Sequence, residues 1–420
     1  MRQPCKFTEN IWIKGAECHP GASETACHVG SPLRYNASMS AIYLDHNSTT
    51  PPDPAVVEAM AATWATVSGN PASQHRFGRE ARHRLEEARE GIAEILGAKI
   101  TGMDADRLIF TSGGTEANHL ALRGLAGKPG HLIISAIEHP SVLATAEQLE
   151  KEGWQVDRLP ANHNGVVQID RLADLLRPST RLVSLMLGNN ETGVVQPVAE
   201  AGRICERHGV PLHTDAVQVV GKLAVHFSEL GVAALSCAAH KFHGPQGIGA
   251  LLVRHGVAIE PQMRGGFQQE GLRPGTEPVA LAVGMHHALR LWRDEQHERA
   301  ARMTQLRDRL ERHILTHVRC AKVVGRDAAR MPHTSNIAFV GHERQALFMA
   351  IDLAGVACAT GSACASGSSE PSHVLVAMGC SEAIIRGSLR FSLGAFTTVS
   401  EVDEAAARIV KACNDLGQAN

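Results

Sequence analysis

Between residues 73 and 96 the apolar side chains Phe77, Ala81, Leu85, Ala88, Ile92 and Ile95 recur every three or four positions, which predicts an amphipathic helix. Beyond it the pattern changes. Short aliphatic runs at 108–110, 131–135, 155–159, 182–187, 211–213, 233–235 and 249–253 alternate with helical stretches. That alternation predicts a largely parallel sheet covered by helices on both faces. A further strand is expected at 41–44 and a helix at 401–416. Residues 1–38 show neither period and mix Gly, Pro, Cys and His, so they read as an irregular leader. Met39 stands just before the first expected strand and could be the natural start of translation.

A chain of 420 residues exceeds the size at which one core stops growing, so one large and one smaller domain are expected. With 44% hydrophobic and only 4% aromatic residues, packing is mainly aliphatic. The net charge of -2 gives no long-range field for nucleic acid or an anionic membrane, so a small substrate is expected and neither of those partners. No apolar run approaches a membrane span, and the first residues, with Cys5, Lys6, Glu9 and Lys14, contain no signal-peptide core, which predicts a cytoplasmic protein. Ten cysteines lack the dense spacing of a disulfide framework. Cys205, Cys237, Cys320 and Cys413 read as small buried hydrophobes, while Cys358 and Cys380 stay undecided.

In open α/β sheets ligands bind beyond the carboxyl ends of the strands. Those positions are polar here: 111–116 (Thr-Ser-Gly-Gly-Thr-Glu), Glu138-His139, Asn189-Asn190-Glu191, Thr214-Asp215 and Ala239-His240-Lys241. Together they offer an anion cradle, an imidazole, amides, a carboxylate and an amine. The turn at 112–115 suits a phosphate, because its glycines admit close approach and the following helix presents its positive end, although a plain tight connection has the same form. Pyridoxal phosphate needs a lysine for its Schiff base and a carboxylate to keep its pyridine nitrogen protonated, and Lys241 and Asp215 suit those tasks. The competing view makes them a surface lysine and a loop aspartate. A metal-binding interaction protein using His213, Asp215, His240 and His243, or Cys18-His19 with Cys27-His28, is the reading from another class, but the spacings match no zinc pattern, and no metal site is expected.

The stretches at 43–51 (Tyr-Leu-Asp-His-Asn-Ser-Thr-Thr-Pro), 70–73, 111–116, 189–193, 213–218, 240–245, 273–276, 361–364 (Gly-Ser-Ala-Cys) and 390–394 occur in an order that resembles the cysteine desulfurases of the NifS/IscS group. The resemblance runs from about residue 41 almost to the C-terminus. It implies a fold-type I pyridoxal-phosphate homodimer with sites near the subunit interface. The implied α/β organisation has a large domain at 53–295 with a mostly parallel seven-stranded sheet, and a smaller α+β domain made of 41–52 and 296–420, behind a leader at 1–40.

By the same resemblance, Lys241 is the Schiff-base lysine and Asp215 the partner of the pyridine nitrogen. His139 is the imidazole stacked on the ring, with Asn190 and Gln218 near the phenolic oxygen, Asn190 also bordering the substrate. Gly114, Thr115 and His240 correspond to the phosphate cradle, Thr276 to a residue lent by the other subunit, and Arg390 to the anchor of the substrate carboxylate. Ala238 departs from the family, which often has a serine there; Ser236 is the candidate to replace its phosphate hydrogen bond. Cys364 lies in a run of small residues at 359–369 that no core would select for packing. The implied reaction converts L-cysteine to L-alanine and leaves the sulfur as a persulfide on Cys364, with His139 as a candidate acceptor of the thiol proton. Selenocysteine lyase or another pyridoxal-phosphate transferase would share the cofactor residues. Transfer of the sulfur to an iron-sulfur scaffold is implied by the family, although the chain ends at Asn420 without the longer tail that housekeeping members offer to that partner.

Overall fold

Each aliphatic run becomes a strand. The computed structural model describes residues 41–361 and 370–418, and among these there are twelve strands: β1 (Ile42–Tyr43), β2 (Arg107–Thr111), β3 (His131–Ser135), β4 (Gln155–Leu159), β5 (Thr180–Ser184), β6 (Leu212–Asp215), β7 (Ala234–Ala238), β8 (Gly249–Val253), β9 (Ala321–Val323), β10 (Thr334–Phe339), β11 (Val356–Ala357) and β12 (Ser388–Ser392). Seven form one sheet in the order β2-β8-β7-β6-β5-β3-β4. Every neighbouring pair is parallel except the two made by β8, with β2 and with β7.

Helices close both faces of this sheet. On one face Leu132, Ile134, Leu182 and Leu251 pack with Leu120 and Leu122 of the helix Gly114–Ala126 and with Val142 and Leu149 of the helix Pro140–Lys151. On the other, Ile133, Val183, Leu235 and Leu252 share a core with Leu85 and Ile92 of the helix Arg76–Ile95 and with Met285 and Trp292 of the helix Val279–His317. Side chains of this size each contribute roughly 1.5–3 kcal/mol when fully buried. This is why the inner strands carry aliphatic residues on both faces.

A second, antiparallel sheet has the order β12-β10-β9. Ile337, Phe339, Leu389 and Phe391 pack there with Val402 and Ile409 of the helix Val399–Gln418 and with Leu306, Leu310 and Ile314. The last three belong to the C-terminal half of Val279–His317, a 39-residue helix that therefore supplies both cores, and the boundary expected at 295–296 falls inside it. Ile42 and Leu44 pack in this second core, with β1 parallel to β11.

Two local expectations need correction. Phe77 was expected on the buried helix face but is 63% exposed. Residues 70–73 press against Gly78, where a side chain would strike the Ser73 carbonyl, and Phe77 turns outward. The buried stripe runs instead through Gly78, Ala81, Leu85, Ala88 and Ile92. The strand expected at 211–213 runs from Leu212 to Asp215, so Thr214 and Asp215 close the strand instead of following it. No helix among the described residues is long and apolar enough to cross a membrane.

Candidate active site

The carboxyl ends of β2, β3, β6 and β7 bring the polar strand-end residues to one edge of the large sheet. After β2 the chain turns through Gly113 into the helix Gly114–Ala126, whose first turn has no side-chain cap. Its leading N–H groups and dipole are thus available to an anion. A side chain on Gly113 would meet nothing within 4 Å, so open space lies beside that turn, whereas one on Gly114 would come within 2.8 Å of Val217 Cγ2. Thr115 is exposed here. The turn is braced by Glu116, which accepts from the Ser112 N–H at 2.5 Å and from Arg273 Nε at 2.8 Å. His240 stands nearby on a different strand end, its Nδ1 3.2 Å from Thr49 Oγ1, and burial pushes its imidazole down to about 4.

Asp215 and His139 are joined through two side chains that the sequence reading did not single out. Asp215 is 5% exposed. Its Oδ1 accepts from the Val217 N–H at 2.9 Å and its Oδ2 from Asn118 Nδ2 at 2.7 Å. Asn118 Nδ2 also donates to Ser141 Oγ at 2.9 Å, and that hydroxyl lies 2.8 Å from His139 Nδ1. His139 caps the helix Pro140–Lys151 by accepting the Ser141 N–H at Nδ1, 3.1 Å away. Burial, more than the opposing pull of Asp215, lowers its pKa, so the neutral ring carries its proton on Nε2. Behind it Glu138 is sealed. Its Oε1 accepts from Ser135 Oγ at 2.5 Å and from the Met186 N–H at 2.8 Å, and burial pushes its carboxyl up to about 8.

Lys241 follows β7, half-buried. Its Nζ donates to the carbonyls of Asn47 at 2.6 Å and Ser48 at 2.8 Å. Burial first, and then the Arg390 guanidinium, pull its pKa down to about 8. Asn47 is the hub of this region: its carbonyl also accepts from Gln218 Nε2 at 3.1 Å, and its Nδ2 donates to the Asn190 carbonyl at 3.0 Å and to Thr334 Oγ1 at 2.9 Å. Arg390, on β12, completes it by donating to Asn190 O at 3.1 Å, Asp45 Oδ1 at 2.6 Å and Ser48 Oγ at 2.8 Å. Its Nε is buried without a partner, a donor left over for a carboxylate. Asp45, Asn47 and Ser48 lay within the quoted stretch at 43–51, but nothing in their spacing revealed that they meet β12.

Other expected residues fall elsewhere. Thr276 is exposed and makes no hydrogen bond to this group. Cys364 lies outside the described residues, as do Cys18-His19 and Cys27-His28. Ser236 does not serve the phosphate cradle: it is fully buried with its Oγ 2.9 Å from His213 Nε2, while His213 Nδ1 lies 2.9 Å from Ser184 Oγ. Both nitrogens of His213 are thus taken by hydroxyls. Among the described residues no three His, Cys, Asp or Glu side chains gather in a way that could hold a metal ion. Cys205, Cys237 and Cys413 are buried thiols pushed up to about 12, but Cys320 is only partly buried, its Sγ 3.9 Å from His342 Nδ1 at the rim of the second core. Cys358 is buried and Cys380 partly so.

The donor set fits pyridoxal phosphate. An uncapped helix start beside open space suits a phosphate, a buried carboxylate held by an amide suits a ring nitrogen, and an amine of lowered pKa suits a carbonyl.

Most of the chain agrees with known proteins. Residues 42–405 match the family model described as aminotransferase class-V. A protein of Dictyoglomus turgidum named cysteine desulfurase IscS is 42% identical over 366 residues, 86% of this chain and 92% of its own length. An IscS-like cysteine desulfurase of Mycobacterium tuberculosis is 43% identical over 374 residues, 86% of this chain and 94% of its own. The crystal structure of a NifS-like protein from Rickettsia africae superposes with a TM-score of 0.82 at 31% identity, covering 89% of this chain and 99% of that one. A shared fold alone would leave the chemistry open, but the family match at 42–405 takes in both sheets and the relatives named cysteine desulfurase share 42–43% identity across 86% of the chain, and the chain belongs to the class-V aminotransferase family, in its cysteine desulfurase group.

Proposed function

We propose that this chain moves the sulfur of L-cysteine onto Cys364 as a persulfide and releases L-alanine. One observation carries the reading: a protein named as a cysteine desulfurase shares 42% identity over 86% of the chain. Pyridoxal phosphate is the cofactor, and when bound it supplies an electron-withdrawing ring that stabilises negative charge at the substrate Cα.

The chain's own groups divide the remaining work. The helix start at Gly114 and Thr115, with His240, holds the phosphate. Asp215 would keep a proton on the ring nitrogen, Asn190 and Gln218 would hold the phenolic oxygen, and His139 would hold the ring. Thr276, exposed in one copy, would serve the site of a second copy in a homodimer. The substrate carboxylate is bound by Arg390, whose orientation Asp45, Ser48 and the Asn190 carbonyl fix in advance. Lys241 attaches the cofactor; with its pKa drawn down to about 8, its amine can be unprotonated near neutral pH and take the proton from Cα. Cys364, as thiolate, then attacks the substrate sulfur. The S–C bond breaks with its electron pair left on Cβ, which takes up the proton lost by the Cys364 thiol; Lys241 returns its proton to Cα, and the three-carbon product leaves as L-alanine. His139 rests with its proton on Nε2 and acts as base toward the Cys364 thiol through that nitrogen once the proton has moved to Nδ1, where Ser141 Oγ at 2.8 Å can accept it. The persulfide then passes to an acceptor protein in the cytoplasm, such as an iron-sulfur scaffold.

The test is a mass measurement. After exposure of the holoenzyme to L-cysteine without reductant, the peptide containing Cys364 should gain one sulfur atom. Cys364→Ser should keep the bound cofactor, bind L-cysteine and release little alanine, while Cys358→Ser stays active. Sulfur found on Cys358 or Cys380, or normal alanine release by Cys364→Ser, would overturn the assignment.

A further inference from the structure

Glu191 is fully buried just beyond β5, and none of the roles above uses it. Its carboxylate reaches described residues on both sides of positions 362–369. On the far side, Ser372 Oγ donates to Glu191 Oε2 at 2.6 Å, and Ser372 also caps the helix His373–Ala377 by accepting from the Leu375 N–H at 3.2 Å. On the near side, a side chain on Gly361 would begin 2.8 Å from the same oxygen, and Gly361 has φ +102°. Only glycine accommodates both that conformation and that approach.

The glutamate itself is firmly placed. Its N–H donates to Asn189 Oδ1 at 3.0 Å and its carbonyl accepts from Asn336 Nδ2 at 3.4 Å. It directly follows Asn190, whose carbonyl accepts from Arg390 and Asn47, so it stands beside the site. Yet Oε1 is buried with no hydrogen-bond partner among the described residues. Leaving a buried carboxyl oxygen unpaired is costly, and an apolar residue of similar size would fill the space without that cost. What glutamate adds is an acceptor at the right distance to hold Ser372 while abutting Gly361.

We propose that Glu191 is a positioning residue that fixes Gly361 and Ser372 relative to the sheet edge, and that the rate of the step carried out by Cys364 depends on it. The proposal rests on the reading of Cys364 as the sulfur carrier.

Three variants of the holoenzyme test it. Glu191→Ala should lower kcat for alanine release about a hundredfold, the loss a misplacement on the order of 1 Å produces. KM for L-cysteine and the absorbance of the bound cofactor should not move. Glu191→Gln keeps the length and an acceptor for Ser372, and should recover most of the lost rate. Ser372→Ala, which leaves Glu191 in place should the alanine variant fold poorly, should lower kcat in the same selective way. Combining it with Glu191→Ala should add little, because both act through one contact. A second readout needs no turnover: the rate at which iodoacetamide labels Cys364, read by peptide mass, should change in Glu191→Ala and Ser372→Ala while labelling of Cys320 does not. Parental kcat and labelling in both variants overturn the proposal, and so does a loss that appears in cofactor binding or KM instead of kcat. Should Cys364→Ser still release alanine, the reading of Cys364 fails on its own, and the labelling rates alone decide the role of Glu191.

Discussion

Asp215 and Lys241 follow from neighbouring strands of one sheet, whereas Arg390 meets Asp45 across 345 residues of sequence. The cofactor side inherits its geometry from β6 and β7, which are parallel, pair in fixed register and are buried throughout. A one-residue slip there would turn every aliphatic side chain to the wrong face, so the register is strongly specified. The substrate side has no such continuous frame. Arg390 stands on β12 opposite Asn336, and the segment from Asp45 to Ser48 reaches it from the other end of the chain, through a bridge between Asp45 and Ser392. One half of the site therefore forms with the large sheet, and the other only when the segment after β1 docks against β12. Substitutions in the two halves should separate cofactor binding from substrate binding.

The largest effect belongs to Lys241. Lys241→Ala removes the attachment point and should abolish both the borohydride-sensitive visible absorbance and alanine release, while circular dichroism keeps its parental form. A reducible cofactor bond and parental turnover in that variant would break the cofactor half of the comparison. Asp215→Ala comes next. It removes the charge beside the ring nitrogen and leaves Asn118 Nδ2 with Ser141 Oγ alone, and the chemical step should slow by roughly 10²–10³, as when one strong electrostatic group is lost. Bound cofactor should remain visible. Near-parental alanine release would show that another group holds the nitrogen.

These two residues were also the ones most open to reading from sequence. Aliphatic runs placed the strands, the strand ends placed Asp215 and Lys241, and a periodic helix placed the buried stripe at Ala81, Leu85, Ala88 and Ile92. What stayed hidden depends on chain segments distant in sequence. Asn118 sits one turn inside a helix and looks like an ordinary polar helix residue, yet it joins Asp215 to Ser141. Asn47 meets Lys241 and Gln218 through its backbone carbonyl, a group every residue has. Phe77 was misplaced because periodicity cannot see the turn that packs on Gly78. Ser236 was misjudged because a strand serine gives no sign of whether it faces a ligand or a buried histidine. Arg390 was assigned by resemblance alone.

Arg390→Lys sharpens the substrate half. Lysine keeps the charge but not the planar fork that spans Asp45, Ser48 and the Asn190 carbonyl. A charge-assisted hydrogen bond is worth about 1.5–3 kcal/mol, so KM for L-cysteine should rise by about tenfold to a hundredfold. Cofactor absorbance should be unchanged. If the variant instead loses cofactor and keeps its KM, the two halves are not separable in the way their construction implies.

The smallest effect on turnover is expected at Glu138, which lies wholly within the cofactor half and ties β3 to the chain leaving β5 through Ser135 and the Met186 N–H. Burial raises its carboxyl from the ordinary 4.5 to about 8, and its Oε2 has no hydrogen-bond partner, which suits a protonated acid. The folded chain therefore keeps a proton that the unfolded chain releases. Stability from this group is fully present below about 4.5 and is lost as pH climbs through about 8. Glu138→Gln mimics the neutral acid, preserves an acceptor for Ser135 and Met186, and has no proton to lose. Between pH 5 and 8 the melting temperature of the parent should thus fall more steeply than that of the variant, by on the order of a few degrees. Alanine release at neutral pH should stay near parental, since the group is needed for shape and not for charge. Parallel melting profiles would mean that Glu138 is ionised in the folded protein; its charge would then lie behind His139 and beside Asp215, and the electrostatics of the cofactor half would have to be redrawn around two carboxylates.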